Sequence, residues 1–322
     1  MYIEPNKGYW TGRIDSELDS STFRFHQEVQ MKSIKELDDE VCKDKTFGLL
    51  GFECDEGVRR NKGKVGAAEA PIEIKKALAK LPWPFHHNEK VLDVGSVFCE
   101  GHKLEKAQQE LGETVQQLIQ KNIIPIIIGG GHETAYAHYL GVREAIGRDK
   151  SLGVINIDAH FDLRPYDEGP SSGTMFKQIL DSDERSGYLC VGVQTHGNTK
   201  ALFTTAHEYG CHYLMEEDLA FVKMDAAISK IDQFISQHDF VFLTLCMDVH
   251  SMSVAPGVSA PTPFGLYPHT IRTLLQHIVS QEKTVSFDIS EVNPSLDEKK
   301  KTITLAAYYL AEVLTHFHIN TN

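Results

Sequence analysis

Three polar residues at alternate positions give the sequence its clearest chemical signal. Asp158, His160 and Asp162 come after an apolar run at 154–157. In an extended chain, residues two apart point to the same side, so two carboxylates and an imidazole converge there. Such a set can bind a divalent cation, which also offsets the repulsion between the carboxylates. A strand on the protein surface also has polar residues at alternate positions. This segment alone therefore leaves open the alternative of an ordinary surface strand.

A triple glycine at 129–131 precedes His132 and Glu133, after an apolar run at 123–128 and before a helical pattern. Glycines permit close backbone approach, and this placement puts His132 at a helix start at the carboxyl edge of a sheet. A phosphate-binding loop is a rival interpretation, but the segment lacks the GxxxxGK[ST] spacing and its lysine. A purely structural histidine is the other alternative.

A third apolar run, at 241–247, ends at Asp248, with Cys246 on the same side of the chain. A carboxylate in this position can also cap a turn. The joint pattern is stronger than any single segment, because three separate strands bring two imidazoles and three carboxylates to one edge of the predicted sheet. The candidate metal ligands are therefore His132, Asp158, His160, Asp162 and Asp248.

These residues require strands that end side by side, and the sequence predicts such strands. Short apolar runs predicted as strands lie at 47–52, 123–129, 152–158, 188–194, 240–248 and 284–291. Amphipathic segments predicted as helices lie at 68–81, 102–121, 134–146, 218–237, 268–279 and 299–317. This alternation predicts an α/β fold with a doubly wound, mainly parallel sheet and helices on both faces. Ligands of such sheets bind outside the carboxyl ends of the strands, where the candidate residues lie.

The chain has 322 residues, of which 41% are hydrophobic, and this is enough for one continuous core. No internal repeat or linker divides it. We therefore predict one domain over 1–322, with residues 1–45 as an N-terminal extension packed on it. Six cysteines without a CxxC pair indicate reduced thiols rather than a disulfide framework.

The formal net charge of −13 argues against a nucleic-acid or anionic-membrane partner, because both favour a basic surface. Residues 1–13 show no signal-peptide pattern, and no apolar run approaches the roughly 20 residues of a membrane helix. We expect a cytoplasmic protein that acts on a small molecule, with neither nucleic acid nor membrane as a partner.

The segments GGGHE, NIDAHFDLRP and LCMDVHSMSVAPGVSAP resemble the three metal-binding motifs of the arginase, agmatinase and formimidoylglutamase superfamily. Residues 286–294 resemble its substrate-binding motif, and the resemblance extends from about Gly51 to the C-terminus. It implies an arginase-like three-layer α/β/α fold and, as in relatives, a homo-oligomer. It also implies a binuclear manganese centre, with two ions per subunit, whose ligands are His132, Asp158, His160, Asp162 and Asp248.

The same resemblance implies a mechanism. Two divalent ions about 3.5–4 Å apart can share a water, lower its pKa and hold the resulting hydroxide against an electrophilic carbon. We therefore expect metal-bound hydroxide to attack the amidine carbon of the substrate, with Asp162 orienting the attack and relaying the proton. Glu291, in the substrate-binding motif, would contact the amidine and pair with its cationic nitrogens.

Cys246 departs from the family pattern, because the superfamily usually has an aspartate there that contacts both metals. A thiolate can bind and even bridge metals, but manganese prefers harder oxygen ligands. We count Cys246 as a candidate ligand, with the consequence that one ion binds weakly or that a different metal is preferred. A buried, inert cysteine is the alternative.

Two loops indicate which substrate is bound. Segments 51–63 and 171–176 resemble the formimidoylglutamase versions of the family's substrate loops, and Phe176 stands where arginases carry a histidine. This resemblance favours N-formimidoyl-L-glutamate, hydrolysed to L-glutamate and formamide in histidine degradation.

The two carboxylates of that substrate suit guanidinium partners. Arg164 is the first candidate, because chain geometry holds it near Asp162 and the metals. Arg59 and Arg60 are further candidates, although a basic pair in a glycine-containing loop can simply be a solvated turn.

Two other interpretations stay open. An agmatinase or another guanidino-acid ureohydrolase would use the same centre, although the far-end amine of agmatine or arginine does not suit a cationic clamp. A non-catalytic homologue would keep the fold and a metal. Cys246 keeps this alternative open, whereas the five hard ligands and Glu291 argue against it.

Overall fold

The computed structural model describes residues 1–37, 42, 44–85 and 89–318. Within them, the strands are β1 (Tyr2–Ile3), β2 (Gln30–Met31), β3 (Thr46–Glu53), β4 (Lys90–Phe98), β5 (Ile123–Ile128), β6 (Leu152–Ile157), β7 (Ser186–Val193), β8 (His212–Met215), β9 (Phe240–Cys246) and β10 (Thr284–Ser290). The helices are α1 (Phe25–Glu28), α2 (Glu56–Arg60), α3 (Ala70–Leu78), α4 (Leu104–Gln120), α5 (Thr134–Ile146), α6 (Met175–Ser182), α7 (Lys200–Glu208), α8 (Met224–Ser236), α9 (Pro268–Val279) and α10 (Lys301–His316).

All ten strands form one sheet, in the order β1-β4-β3-β5-β10-β9-β6-β7-β8, with β2 also paired to β4. Every pairing is parallel except that of β1 with β4. The chain completes β5, passes to β6 further along the sheet, and returns later with β9 and β10 to fill the gap. Such a change of direction is where open α/β sheets place their ligands.

Successive residues of the buried strands point alternately into two separate apolar cores. Ile126 faces a core that includes Ile74 of α3 and Leu310 of α10, whereas Ile127 faces one that includes Leu111 of α4. Helices α8 and α9 lie on the first face with α3 and α10, and α5, α6 and α7 lie on the second face with α4. The central strands are therefore buried on both faces and mostly apolar, as expected for a sheet covered on both sides. The predicted three-layer α/β/α fold is confirmed.

The six predicted strands and six predicted helices all occur. The helix predicted at 218–237 begins later, at Met224, because short 3-10 turns precede it. The sequence prediction missed β4, whose apolar run is interrupted by Asp93. This carboxylate is buried against the ammonium of Lys75 at 2.7 Å and the indole N–H of Trp10 at 2.7 Å, so its charge is compensated inside the core.

The N-terminal segment contacts the edge of the sheet through β1 and β2, which both pair with β4. Trp10 is buried in the same core as α3. Residues 38–41 and 43 of the predicted extension at 1–45 lie outside the described residues, and the division into one domain with an extension stays a prediction. In the described part of the chain, no helix is both long and apolar enough to cross a membrane.

Candidate metal centre

Four neighbouring strands bring the candidate residues to one edge of the sheet. His132 follows β5, Glu291 follows β10, Cys246 ends β9 just before Asp248, and Asp158 follows β6. Because β5, β10, β9 and β6 are adjacent and parallel, their carboxyl ends lie side by side. The prediction that these segments converge is therefore met by the topology.

The triple glycine lets the chain pass tightly beside β3 on its way to His132. A Cβ on Gly130 would lie 1.9 Å from the carbonyl oxygen of Cys54, so no other residue fits there. The N–H of Gly131 donates to that same oxygen at 2.9 Å. This contact fixes the start of α5, and the N–H of His132 then donates to Oε1 of Glu291 at 2.8 Å.

Two groups of possible metal ligands share Asp158. The thiol set consists of His132, Asp158 and Cys246, and the oxygen set consists of Asp158, His160 and Asp248; within each, the donor atoms lie within 4.8 Å of one another. Asp158 turns Oδ2 to Nδ1 of His132 at 3.1 Å and Oδ1 to Nδ1 of His160 at 3.3 Å. One carboxylate therefore joins two sites, which is the arrangement that a pair of cations requires.

Asp162 lies beside the thiol set, with its Oδ2 3.0 Å from Nδ1 of His132. Its backbone φ of 50° is in the left-handed region, and so is that of Glu291 at 69°. Residues other than glycine seldom adopt this conformation, and it costs energy that the surrounding structure must offset. At Glu291 this conformation turns the chain directly after β10, and at Asp162 it turns the loop that follows β6. Each turn lets a carboxylate face the centre.

The charges of the cluster suit a bound cation. Burial alone would lower the pKa of His132 and His160, but the adjacent carboxylates outweigh burial and raise both pKa values well above the usual range. Burial first, and the charge of Asp158 second, raise the pKa of Asp162 and Asp248. These pKa shifts reflect burial and crowded negative charge, and bound divalent ions would neutralise that charge.

The carboxylate of Glu291 is also buried at this site. Burial, followed by the charges of Asp248 and Glu133, raises the pKa of Glu291 to about 8. A cationic group placed against this carboxylate would favour its ionised form. The position suits the recognition of a protonated amidine.

A cavity of about 110 Å³ borders both ligand sets, and Asp162 and Glu291 also line it. Its remaining wall includes Arg164 together with Asn61, Ser172 and Ser259. The side chain of Arg164 is exposed, and among the described residues it makes no hydrogen bond or ion pair. A cationic group without a partner among the described residues therefore borders the same cavity as the candidate metal ligands.

The other two arginines proposed from the sequence do not line this cavity. Arg59 donates to both carboxylate oxygens of Glu56 at 2.6 Å. Arg60 contacts Glu56, Glu105 and the carbonyl oxygen of Pro170. Both side chains are thus engaged in holding α2 and its neighbours, because residues three and four positions after Glu56 lie on the same face of the helix.

Sequence reasoning missed a hydrogen-bonded chain behind His132. Its Nε2 lies 3.1 Å from Oγ1 of Thr244, which donates to Oδ1 of Asp288 at 2.8 Å. The hydroxyl proton of Thr244 is used on Asp288, so the hydroxyl oxygen accepts from His132 and leaves Nδ1 free for a cation. His138 holds the other oxygen of Asp288 at 2.7 Å. The sequence carried one sign of this hydrogen-bonded chain, because the carboxylate of Asp288 lies in the interior of the apolar run at 284–291.

Phe176, at the position where arginases carry a histidine, is buried and stacks on Tyr188 with ring centroids 4.4 Å apart. Its ring also meets that of His132 edge-on at 5.6 Å. Phe176 therefore packs against His132 and contributes no polar group to the cavity.

Comparison with known proteins identifies the family of this chain. The Arginase family profile matches residues 45–316. A formimidoylglutamase of Geobacillus sp. (strain WCH70) is 56% identical over 318 residues, covering 99% of this chain and 97% of the relative. The formimidoylglutamase of Clostridium tetani is 39% identical over 97% of this chain and 95% of its own.

Solved structures show the same fold. The formimidoylglutamase from Bacillus subtilis has a TM-score of 0.78 at 24% identity, over 88% of this chain and 91% of that one. A Trypanosoma cruzi formiminoglutamase solved with Mn²⁺ has a TM-score of 0.76 at 23% identity, over 88% and 98% of the two chains. The chain therefore belongs to the arginase family, with formimidoylglutamases as its relatives over nearly the full length.

Proposed function

We infer that this chain is a hydrolase that cleaves a C–N bond of a linear amidine, converting N-formimidoyl-L-glutamate to L-glutamate and formamide. The observation that carries the inference is one cavity bordered by two joined ligand sets, a buried carboxylate at Glu291 and an unpartnered guanidinium at Arg164. The ligand sets suit the reacting carbon, Glu291 suits the cationic amidine, and Arg164 suits a carboxylate of the substrate. The formimidoylglutamases related over nearly the whole chain support the same reaction.

We further propose that the two ligand sets hold a pair of divalent ions, with Mn²⁺ as the family's ion. The imidazole and carboxylate donors suit Mn²⁺, and the shared Asp158 suits a pair; Cys246 is the one donor that does not suit it. His132, Asp158, Asp162 and Cys246 would hold one ion, and Asp158, His160 and Asp248 the other. When bound, such a pair supplies a water of lowered pKa as the nucleophile.

The remaining steps belong to this chain's own side chains. Glu291, whose carboxylate is fixed by the N–H of His132, pairs with the protonated nitrogen of the formimidoyl group. Asp162, held against His132, accepts the proton of the attacking water and passes it to the departing amine. That amine is the α-amino group of glutamate, which leaves as the C–N bond breaks.

Arg164 binds a carboxylate of the glutamate moiety, because it borders the cavity and has no partner among the described residues. Arg59 and Arg60 then act indirectly, by holding α2 and the loop at Pro170. Agmatine and arginine are disfavoured, because each presents an amine where Arg164 lies. We also propose that the reaction serves histidine degradation in the cytoplasm, in a homo-oligomer.

The test is a comparison of three substrates with purified, manganese-loaded protein. Formamide and glutamate should form from formimidoylglutamate faster than urea forms from arginine or agmatine. Chelation should abolish the activity, and Mn²⁺ should restore it better than Mg²⁺. Faster turnover of either guanidino substrate would refute the choice of substrate, and full activity without metal would refute the mechanism. A protein that binds metal but turns over none of the three would be a non-catalytic homologue.

A further inference from the structure

The two ligand sets differ in one donor atom. The oxygen set offers the imidazole of His160 and the carboxylates of Asp158 and Asp248, whereas the thiol set contains the sulfur of Cys246. Thiolate ligands select ions such as Zn²⁺, while carboxylates suit Mn²⁺, and Mn²⁺ has the lowest affinity of the first-row divalent ions for a given site. A difference in donor atom is therefore a difference in metal preference between the two halves of the centre.

The sulfur is placed among the ligands by a rigid part of the fold. Cys246 is the last residue of β9, is buried, and lies in register with Ser290 on β10. Its Sγ is 2.8 Å from Oδ1 of Asp248, a contact that brings it directly against the oxygen set. Because β9 is paired with β10 on one side and β6 on the other, the backbone of Cys246 is held firmly in place.

A second buried cysteine nearby provides a contrast. Cys190, on β7, has its Sγ 3.2 Å from the backbone carbonyl oxygen of His160 and belongs to neither ligand set. Among the cysteines that the structure describes, Cys246 is thus the one whose sulfur joins imidazole and carboxylate donors. The two residues share burial and element type, so they form a matched pair for an experiment.

The complete donor group on the thiol side also has the composition of a zinc-type site. Asp162 adds a carboxylate beside His132 and Asp158, so nitrogen, oxygen and sulfur donors come from four residues. Sites with Cys, His and Asp ligands in this number are typical of Zn²⁺. A centre that held Mn²⁺ alone would leave the sulfur as an unfavourable ligand.

We propose that the centre is heterobinuclear, with a thiophilic divalent ion of the Zn²⁺, Co²⁺ or Fe²⁺ class in the thiol set and Mn²⁺ in the oxygen set. The inference rests on the proposed function only in taking the two sets as the metal centre. As the bond between sulfur and metal forms, the thiol of Cys246 releases its proton to the buffer. No electron is transferred, and both ions stay divalent.

The first experiment uses Co²⁺ as a spectroscopic probe of sulfur ligation in the full-length, metal-depleted protein under reducing conditions. The wild type should develop a near-ultraviolet absorption band from thiolate-to-cobalt charge transfer. Cys246→Asp should bind Co²⁺ without this band, and Cys190→Ala should keep it. No band in the wild type, an undiminished band in Cys246→Asp, or loss of the band in Cys190→Ala would each overturn the proposal. If Cys246→Asp does not fold, Cys246→Ser removes the sulfur with a smaller change.

The second experiment measures bound metal after equilibration with a mixture of Zn²⁺ and Mn²⁺. The wild type should retain about one of each ion per chain, whereas Cys246→Asp should shift toward two Mn²⁺. The affinity of that variant for the second Mn²⁺ should rise at least about tenfold, the lower range found even for residues that only support a ligand. Equal Mn²⁺ stoichiometry and affinity in both proteins would overturn the proposal.

These readouts are separate from turnover. A protein that releases formamide but shows no sulfur-dependent band refutes the heterobinuclear centre and leaves the proposed function intact. A protein with the band but without formamide release refutes the proposed function and leaves the mixed centre intact.

Discussion

Substitution of Arg164 by alanine tests the substrate assignment most directly. The guanidinium borders the cavity and, among the described residues, has no partner to retain it elsewhere. Arg164→Ala should therefore remove one charge-assisted hydrogen bond to the substrate without disturbing another contact. Such a bond is worth about 1.5–3 kcal/mol, or roughly 10- to 150-fold in KM. Because the side chain is exposed and solvent screens its charge, we expect the lower part of this range.

The assay is steady-state formation of formamide over a range of formimidoylglutamate concentrations. KM should rise while kcat stays close to the wild-type value, because the contact to the remote carboxylate is made equally in the ground and transition states. Raising the ionic strength should reduce the difference between mutant and wild type, since the contact is electrostatic and exposed.

Arg59→Ala is the matched control. Arg59 also carries an exposed guanidinium near the site, but both its contacts are to Glu56 and it does not line the cavity. Because Arg59 affects the cavity only through α2, the KM of Arg59→Ala should stay closer to the wild-type value than that of Arg164→Ala. An unchanged KM in Arg164→Ala, or an equal rise in Arg59→Ala, would refute the assignment of Arg164 as the carboxylate clamp.

Three further predictions follow from the centre. Asp162→Asn should lower kcat by about 10²- to 10⁴-fold, because it removes a proton acceptor and weakens a ligand; wild-type turnover would exclude both roles. Thr244→Val should weaken metal binding about 10- to 100-fold in a calorimetric titration, whereas Thr244→Ser, which keeps the hydroxyl, should not. The metal-free protein should lose stability as pH rises from 6 to 8, because a folded-state pKa of about 8 at Glu291 means that folding takes up a proton over this range. The loss is on the order of 1 kcal/mol per pH unit; thermal unfolding at pH 6, 7 and 8 measures it, and a constant or rising Tm would contradict it.

The sequence predicted the strands that carry the site because each is a mostly apolar run that stops at a glycine or a polar residue. Residues at 123–128 and 152–157 are of this kind, and both form strands. Their neighbours could not be deduced in the same way. The insertion of β10 and β9 between β5 and β6 depends on pairings between distant residues, such as Phe287 with Ile126, which lie 161 positions apart, and no local pattern encodes that order.

The sequence also could not predict where individual arginine side chains point. Arg59 and Arg164 have the same chemistry, yet one is held by Glu56 and the other borders the cavity. The difference arises from a helical turn at α2, which was not predicted, and from a contact between the N–H of Arg164 and the carbonyl oxygen of Gly173. Periodicity predicts the face of a strand but not the partner of a surface cation.

The distribution of the ligands along the chain has a consequence for stability. The hydrogen bond from the N–H of His132 to Glu291 joins residues 159 positions apart, and β5, β6, β9 and β10 must pair before the centre exists. The unfolded chain therefore presents the adjacent group of Asp158, His160 and Asp162 but not the complete sets. Ions that bind the folded state far more tightly than the unfolded chain shift the folding equilibrium by mass action. The repulsion among buried carboxylates, which opposes folding of the metal-free protein, is then relieved by the cations that the reaction requires.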